Sequence, residues 1–251
     1  MNIGALIIGD EILLGRRQDR HFARLIEILR ARGLTLAWCV HLGDHRARLT
    51  EFLRASFARD DLVFSFGGIG CTPDDHTRQA AAAALGVPIE LHPDAKREIE
   101  GRFGAQVTAQ RLKMGEFPRG ARIIPNPFNR IPGFSLGDHH FLPGFPEMAW
   151  PMAEWVLDTG YRALCPEAAR GEEAVIVWEV WESALMDLMQ RIERDYQGLR
   201  VFSLPSFGDE HTRRHVELGV RGDPAQVARA MADIRAEIDR CGWQWEPAAA
   251  R

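Results

Sequence analysis

Apolar residues in the first third of the chain alternate between two rhythms. Residues 4–8 are a continuous apolar run that stops at Gly9, Asp10 and Glu11. Phe22, Leu25, Ile26, Ile28 and Leu29 then recur at helical spacing until Gly33 supplies a C-terminal stop. Residues 34–40 predict a second strand, ended by Gly43 and Asp44, and Leu49, Phe52, Leu53 and Phe57 mark a second helix. Residues 62–66 predict a third strand and residues 78–85 a third helix. Strands and helices joined by short connections imply parallel strands covered on both faces, because a right-handed crossover returns each strand in the same direction. The expected fold is a doubly wound, mainly parallel α/β sheet.

Beyond Gly86 the pattern loosens. Residues 94–103 predict a charged helix, residues 108–114 a shorter one, and residues 115–120 a loop. Residues 122–124, 134–136 and 140–142 are short strands, the last two forming a hairpin through Gly137 and Asp138. Pro125, Pro127 and Pro132 keep residues 125–133 extended. Residues 142–146 form a turn into a helix containing Trp155 and Leu157, which Pro151 begins or kinks. From about Glu172 the order is strand 174–181, helix 185–192, strands 199–204 and 215–220, helix 224–241 and strand 243–245. This βαββαβ order matches the split βαβ, ferredoxin-like motif. Residues 160–171 form the expected linker between a domain at 1–160 and a small α+β domain at 172–246, whose Val227, Met231, Ile234 and Ile238 belong to its core.

Composition narrows the function classes. A chain of 251 residues, 46% hydrophobic, buries a full core, and 26% charged residues without a long polar tract exclude disorder. The net charge of −4 leaves no basic footprint for nucleic acid. No apolar run reaches the length of a membrane span, and Met1 leads into Ile3 without a charged leader, so a cytoplasmic protein is expected. Cys39, Cys71, Cys165 and Cys241 are dispersed without a CxxC pair, which fits a reducing compartment and offers no zinc spacing.

Residues 67–77 read GGIGCTPDDHT, between the third strand and the third helix. A glycine-rich loop here offers backbone N–H groups and the positive end of a helix dipole to a phosphate. Asp74 and Asp75 place negative charge in the same loop, which requires a cation or a proton-transfer role beside it. The only lysines are Lys96 and Lys113, so this is not a Walker-type site. Asp10, Glu11, Asp44, Asp74 and Asp75 all follow strands, where open α/β sheets bind ligands. Taken singly, Asp75 and Asp44 can instead cap the helices that follow them, and Thr72 and Thr77 serve either as phosphate donors or as caps. Arg16 and Arg17 can reach a phosphate but fit a solvated surface better, Cys71 beside a helix N-terminus is a nucleophile or, more simply, a small filler of a tight loop, and His76 can contact a phosphate or base but is assigned no role. His41 with His45, and His211 with His215, are spaced by four but not clearly on helices, which argues against metal sites.

Three loops, Gly9-Asp10-Glu11-Ile12-Leu13-Leu14-Gly15, residues 67–77, and Leu142-Pro143-Gly144-Phe145-Pro146-Glu147-Met148, resemble in order and spacing those of the MoaB/Mog-type molybdopterin-binding domain. The nearest likeness is its branch in competence/damage-inducible protein A (CinA) and the eukaryotic FAD synthases. Leu204-Pro205-Ser206-Phe207-Gly208 resembles the serine-proline turn of that branch, so the likeness covers essentially the whole chain. The resemblance implies a pocket for a pterin or dinucleotide pyrophosphate, built from Gly9, Asp10, Glu11, Pro143 and Gly144, with phosphates on the backbone of Gly67, Gly68, Ile69 and Gly70. It also implies catalytic roles for Asp44 and Asp75 and a homo-oligomer, dimer or trimer. Ile69 and Cys71 depart from the usual pattern of proline with threonine or leucine, and His21 stands where the branch often has asparagine.

On this reading Asp44 and Asp75 hold a divalent cation, magnesium, manganese or cobalt, that bridges pyrophosphate oxygens, with Asp10 as a further ligand or, like Glu11, an orienter of water. The chain ends before the amide-hydrolysing domain of full-length CinA proteins and the adenylyl-transferring domain of FAD synthases, so neither activity is expected. The small second domain favours a metal-dependent pyrophosphatase of ADP-ribose or FAD-like dinucleotides. The alternatives are a molybdopterin-binding or adenylyl-transferring enzyme of cofactor synthesis and a non-catalytic binding or regulatory module.

Overall fold

β1 (Asn2–Ile8) is buried at every position after Asn2, because both of its faces are covered. Ile3, Ala5 and Ile7 pack against α2 (His21–Arg30) and α7 (Pro146–Gly160), while Leu6 and Ile8 pack against α3 (Arg46–Phe57) and α4 (Thr77–Leu85). Alternation along one strand thus feeds two cores. In the computed structural model, which describes residues 1–165, 171–208 and 212–248, the chain divides into the units Met1–Cys165 and Pro166–Arg251. Residues 166–170 of the expected linker lie outside the described residues.

The first unit holds a six-stranded sheet in the order β2-β1-β3-β8-β7-β6, with β2 (Trp38–Leu42), β3 (Asp61–Phe66), β6 (Arg122–Ile124), β7 (Gly133–Leu136) and β8 (His139–Leu142). β2, β1, β3 and β8 run parallel; β7 and β6 are antiparallel. The doubly wound sheet and the β7–β8 hairpin therefore form as the apolar pattern predicts.

Several boundaries differ, for local reasons. The second strand begins at Trp38 rather than at Leu34, because the Leu34 N–H bonds back to the Leu29 carbonyl and completes the stop of α2. Residues 115–120 are not wholly loop: β5 (Glu116–Pro118) pairs antiparallel with β4 (Ile89–Leu91). Between these strands lie α5 (Pro93–Phe103) and α6 (Ala109–Leu112), the latter extended by a 3-10 turn. Residues 125–133 are not extended throughout. The Asn126 carbonyl accepts the Arg130 N–H and its side chain bridges Phe128 N and Ile131 O, so a turn forms between the prolines. α7 starts at Pro146 and continues through Pro151, which therefore does not begin it. α1 (Asp10–Leu13) is a single turn directly after β1.

The second unit orders its elements as β9 (Gly171–Trp178), α8 (Glu182–Asp195), β10 (Arg200–Ser206), β11 (His215–Gly222), α9 (Pro224–Arg240) and β12 (Trp245–Pro247). Its sheet, β10-β11-β9-β12, is antiparallel throughout. Val227, Met231, Ile234 and Ile238 of α9 lie in its core with Val175, Val177 and Leu218. β9 ends at Trp178 rather than Trp181, because Glu179 turns to φ 56 and Trp181 already caps α8. The last strand starts at Trp245 rather than Trp243, whose N–H closes on Ile238 O at the end of α9. Among the described residues no helix is long and apolar enough to cross a membrane.

Candidate functional site

Four parallel strands deliver Gly9, Gly43, Gly67 and Pro143 to one end of the sheet, with β1 at the centre of the order β2-β1-β3-β8. The connections from β1 diverge here, and such a switch point opens a crevice for ligands. Gly67 seals the junction. Its N–H donates to Leu142 O at 3.0 Å, its φ is +101°, and a Cβ would stand 2.3 Å from Ile8 O, so no side chain fits.

The loop after Gly67 is braced from within. Thr77 is fully buried; its hydroxyl donates to Gly67 O at 3.1 Å and its N–H to Gly68 O at 2.9 Å. It therefore sets the loop's shape, and its hydroxyl points away from any phosphate in solution. The Ile69 side chain is buried among Leu6, Ile8 and Ala81. The Asp75 carboxylate accepts the Thr72 N–H at 2.8 Å and the Thr72 hydroxyl, which closes a turn rather than capping α4. Arg78, only 4% exposed, donates to the carbonyls of Gly70, Lys113 and Glu116. With the Gly70 carbonyl drawn inward, no hydrogen bond among the described residues engages the N–H groups of Gly68, Ile69, Gly70 and Cys71. This is a row of donors suited to an anion.

Across β1, Asp10 and Asp44 bind each other's backbone. Asp10 N–H donates to Asp44 Oδ2 at 2.9 Å, and Asp44 N–H to Asp10 Oδ1 at 3.3 Å. Gly43 makes room for this exchange: a Cβ there would lie 2.2 Å from Asp10 Oδ1. Asp44 thus serves the start of α1 and not α3, whose cap is the His45 ring accepting Arg48 N–H at 3.5 Å. Burial, and then the negative charges of Asp10, Glu11 and Asp74, raise the Asp44 pKa, although the Asp10 N–H opposes this. An open cleft of about 820 Å³ begins at Asp10, Asp44, Asp74 and His76 and continues along α3. Asp75 does not line it.

That placement bears on the expected metal centre. An all-carboxylate donor set suits a hard cation. Among the described residues, however, no three His, Cys, Asp or Glu side chains converge to hold one, and Asp75 is engaged by Thr72. The trio Asp10, Asp44 and Asp75 is not assembled as a resident metal centre.

The third loop is fixed by His21, which is 6% exposed. Its Nε2 donates to Gly144 O at 3.1 Å and its ring stacks on Phe66 with centroids 4.5 Å apart. Burial lowers its pKa, so the imidazole is neutral and holds Pro143 and Gly144 beside Gly67. Asp19 orients His21 in turn by accepting its N–H at 2.7 Å, and meets His41 Nε2 at 2.9 Å with its other oxygen. Glu11 folds back over Gly9, and its carbonyl accepts the N–H groups of Arg16 and Arg17, whose side chains are exposed. Cys71 is half-buried in the loop, with its carbonyl accepting Gln110 Nε2 at 3.3 Å. His215 lies against Trp178, and His211 is outside the described residues. The spacing of residues missed Arg78; its signal is an arginine one position after the buried threonine that closes a glycine loop.

The chain is similar to known proteins. Residues 4–162 match the family model described as probable molybdopterin binding domain. A CinA-like protein of Anaeromyxobacter sp. (strain Fw109-5) is 38% identical over 165 residues, covering 62% of this chain and 40% of that protein. A protein of Caldivirga maquilingensis is 33% identical over 247 residues, covering 95% of this chain and 94% of its own length. The crystal structure of CinA, a protein of unknown function from Thermoplasma acidophilum, aligns with a TM-score of 0.57 at 29% identity, over 63% of this chain and 98% of that one. The chain spans well under half the length of the CinA-like relative, yet nearly all of the Caldivirga protein. With its three loops at one sheet end and a family match over more than half of its length, the chain belongs to the molybdopterin-binding domain family and is similar to CinA-like proteins.

Proposed function

We propose that the first unit binds the pyrophosphate of a nucleotide or pterin and hydrolyses it, as a pyrophosphatase of ADP-ribose or FAD-like dinucleotides. The observation that carries this is the row of unengaged N–H groups from Gly68 to Cys71, in the loop after β3 at the sheet end that also carries Asp44 among other carboxylates. The amides, backed by Arg78, hold the phosphate oxygens. Asp44, with its raised pKa, is suited to general-base work. Water adds to one phosphorus, the bridging P–O bond breaks, the proton of the water passes to Asp44, and two phosphomonoesters leave. A divalent ion enters bound to the substrate's phosphates rather than as a resident cofactor.

Incubation with ADP-ribose, FAD, NAD and ATP, each with magnesium, manganese or cobalt, tests the proposal. AMP release is expected from at least one dinucleotide, falling roughly 100-fold in Asp44→Asn, the loss typical of a missing general base. No AMP from any substrate would sink hydrolysis. A second reading is binding of molybdopterin, which the family description supports, with adenylylation as the chemistry that would follow. Tight molybdopterin binding without hydrolysis would put it first.

A further inference from the structure

α3 carries Arg46, Thr50 and Arg54 at intervals of four, so the three side chains form one stripe along the helix. All three line the cleft that begins at Asp10 and Asp44. Eight residues of helix cover about 12 Å, a length that accommodates a nucleoside beyond its pyrophosphate. Arg32, Arg119 and Arg130 of the same unit are paired with Asp158, Glu90 and Glu98. Among the described residues neither the Arg46 nor the Arg54 guanidinium has an ion-pair or hydrogen-bond partner.

The cleft is therefore divided by charge. Acid is concentrated at the strand ends, in Asp10, Asp44 and Asp74, whereas the helical wall contributes two cations against one carboxylate, Glu51. His45 and His76 stand where the two regions meet. A ligand with a pyrophosphate on the Gly68 to Cys71 amides and a neutral far end would leave the arginine stripe without a counterpart. One with a further anion would engage it.

We propose that the Arg46–Thr50–Arg54 stripe is a second anion subsite, which takes a phosphate monoester on the ribose of a bound nucleotide pyrophosphate. The guanidinium forks of Arg46 and Arg54 supply charge-assisted donors for its oxygens, while the Thr50 hydroxyl between them donates to Arg46 O at 2.9 Å. The proposal rests on the pyrophosphate reading of the neighbouring loop and adds a selection: phosphorylated dinucleotides over their unphosphorylated counterparts.

NAD and NADP share one pyrophosphate and differ by one ribose phosphate, which makes them the probes. Calorimetric titration of the whole chain is expected to give NADP about tenfold tighter binding, the equivalent of one charge-assisted contact. In Arg46→Gln with Arg54→Gln the ratio falls to about one, while Arg48→Gln, on the same helix but outside the cleft, leaves it unchanged. Equal affinity for the two dinucleotides in the unaltered chain overturns the subsite and leaves the pyrophosphate reading standing. Binding of neither overturns both. A preference for NADP that survives the double substitution places the phosphate elsewhere and also overturns the subsite.

Discussion

Both units are built from a sheet and helices, yet among the described residues only the first gathers chemistry at one edge. In the first, β2, β1, β3 and β8 point the same way and helices cover both faces, so their carboxyl ends open into adjacent loops at one rim. In the second, neighbouring strands alternate in direction, so consecutive strand ends point to opposite rims. Its core, from Val175 and Val177 of β9 to Ile234 and Ile238 of α9, is a single cluster. Strand direction, more than composition, decides where a site can form.

The largest effect of a single substitution is expected where the first unit has no space. Gly67→Val forces a branched side chain into a left-handed backbone position against Ile8 O, and should cost about 4 kcal/mol through strain and overpacking. Pyrophosphate binding should vanish while the amides of β9 and β11 keep their hydrogen-exchange protection; loss of protection in both units would break the separation. Next, Ile234→Ala leaves a cavity in the second unit and should lower its stability by about 3 kcal/mol. Calorimetry should find the affinity for the dinucleotide unchanged, and a parallel loss would mean that the second core supports the site.

Acid separates the units by degrees. Burial pushes the pKa of His139 down to about 4 and of His140 to about 3. His139 lies beside the Ser56 hydroxyl, and His140 joins Ser135 to Tyr161 and, through it, Asp138. These rings are neutral in the fold, but each takes up a proton in the unfolded chain near its ordinary 6.5. First-unit stability is therefore full above that pH and falls as pH drops through it, by roughly 3 kcal/mol per histidine toward pH 4. In the second unit Arg240 and Arg191 draw the Glu237 pKa from 4.5 to about 2, so that contribution is lost only between those values. Denaturant melts across pH, followed by exchange at β1 and β11, should show the first unit weakening first; the reverse order refutes the assignment. The smallest effect concerns Asp44. Removing a neighbouring negative charge by Asp74→Asn should move the acid limb of activity to lower pH, and an unmoved limb would show that Asp74 does not act on Asp44.

The sheet was legible because residues 3–8 of β1 and 62–66 of β3 are apolar apart from Ser65, which leaves little choice but burial on both faces. The positions of Asp10, Asp44 and the 67–77 loop followed from topology alone. Their bonding did not. Asp75 has the same sequence neighbours whether it caps α4, binds a cation or folds onto Thr72, and only the turn at residues 72–75 decides. β4 and β5, at three residues each, are too short for periodicity to register, and β5 is defined by a partner far away in sequence. Arg78 reads as a surface charge until the carbonyls of residues 70, 113 and 116 are seen to surround it.

That enclosure gives the site two responses to ionic strength. The charge of Arg78 is shielded from mobile ions by the chain itself, so added salt would leave its pull on the proposed phosphate largely intact. Arg46 and Arg54 stand in solvent, where salt competes directly. On the proposed reading, rising salt therefore weakens the choice between ligands before it weakens the hold on the pyrophosphate they share.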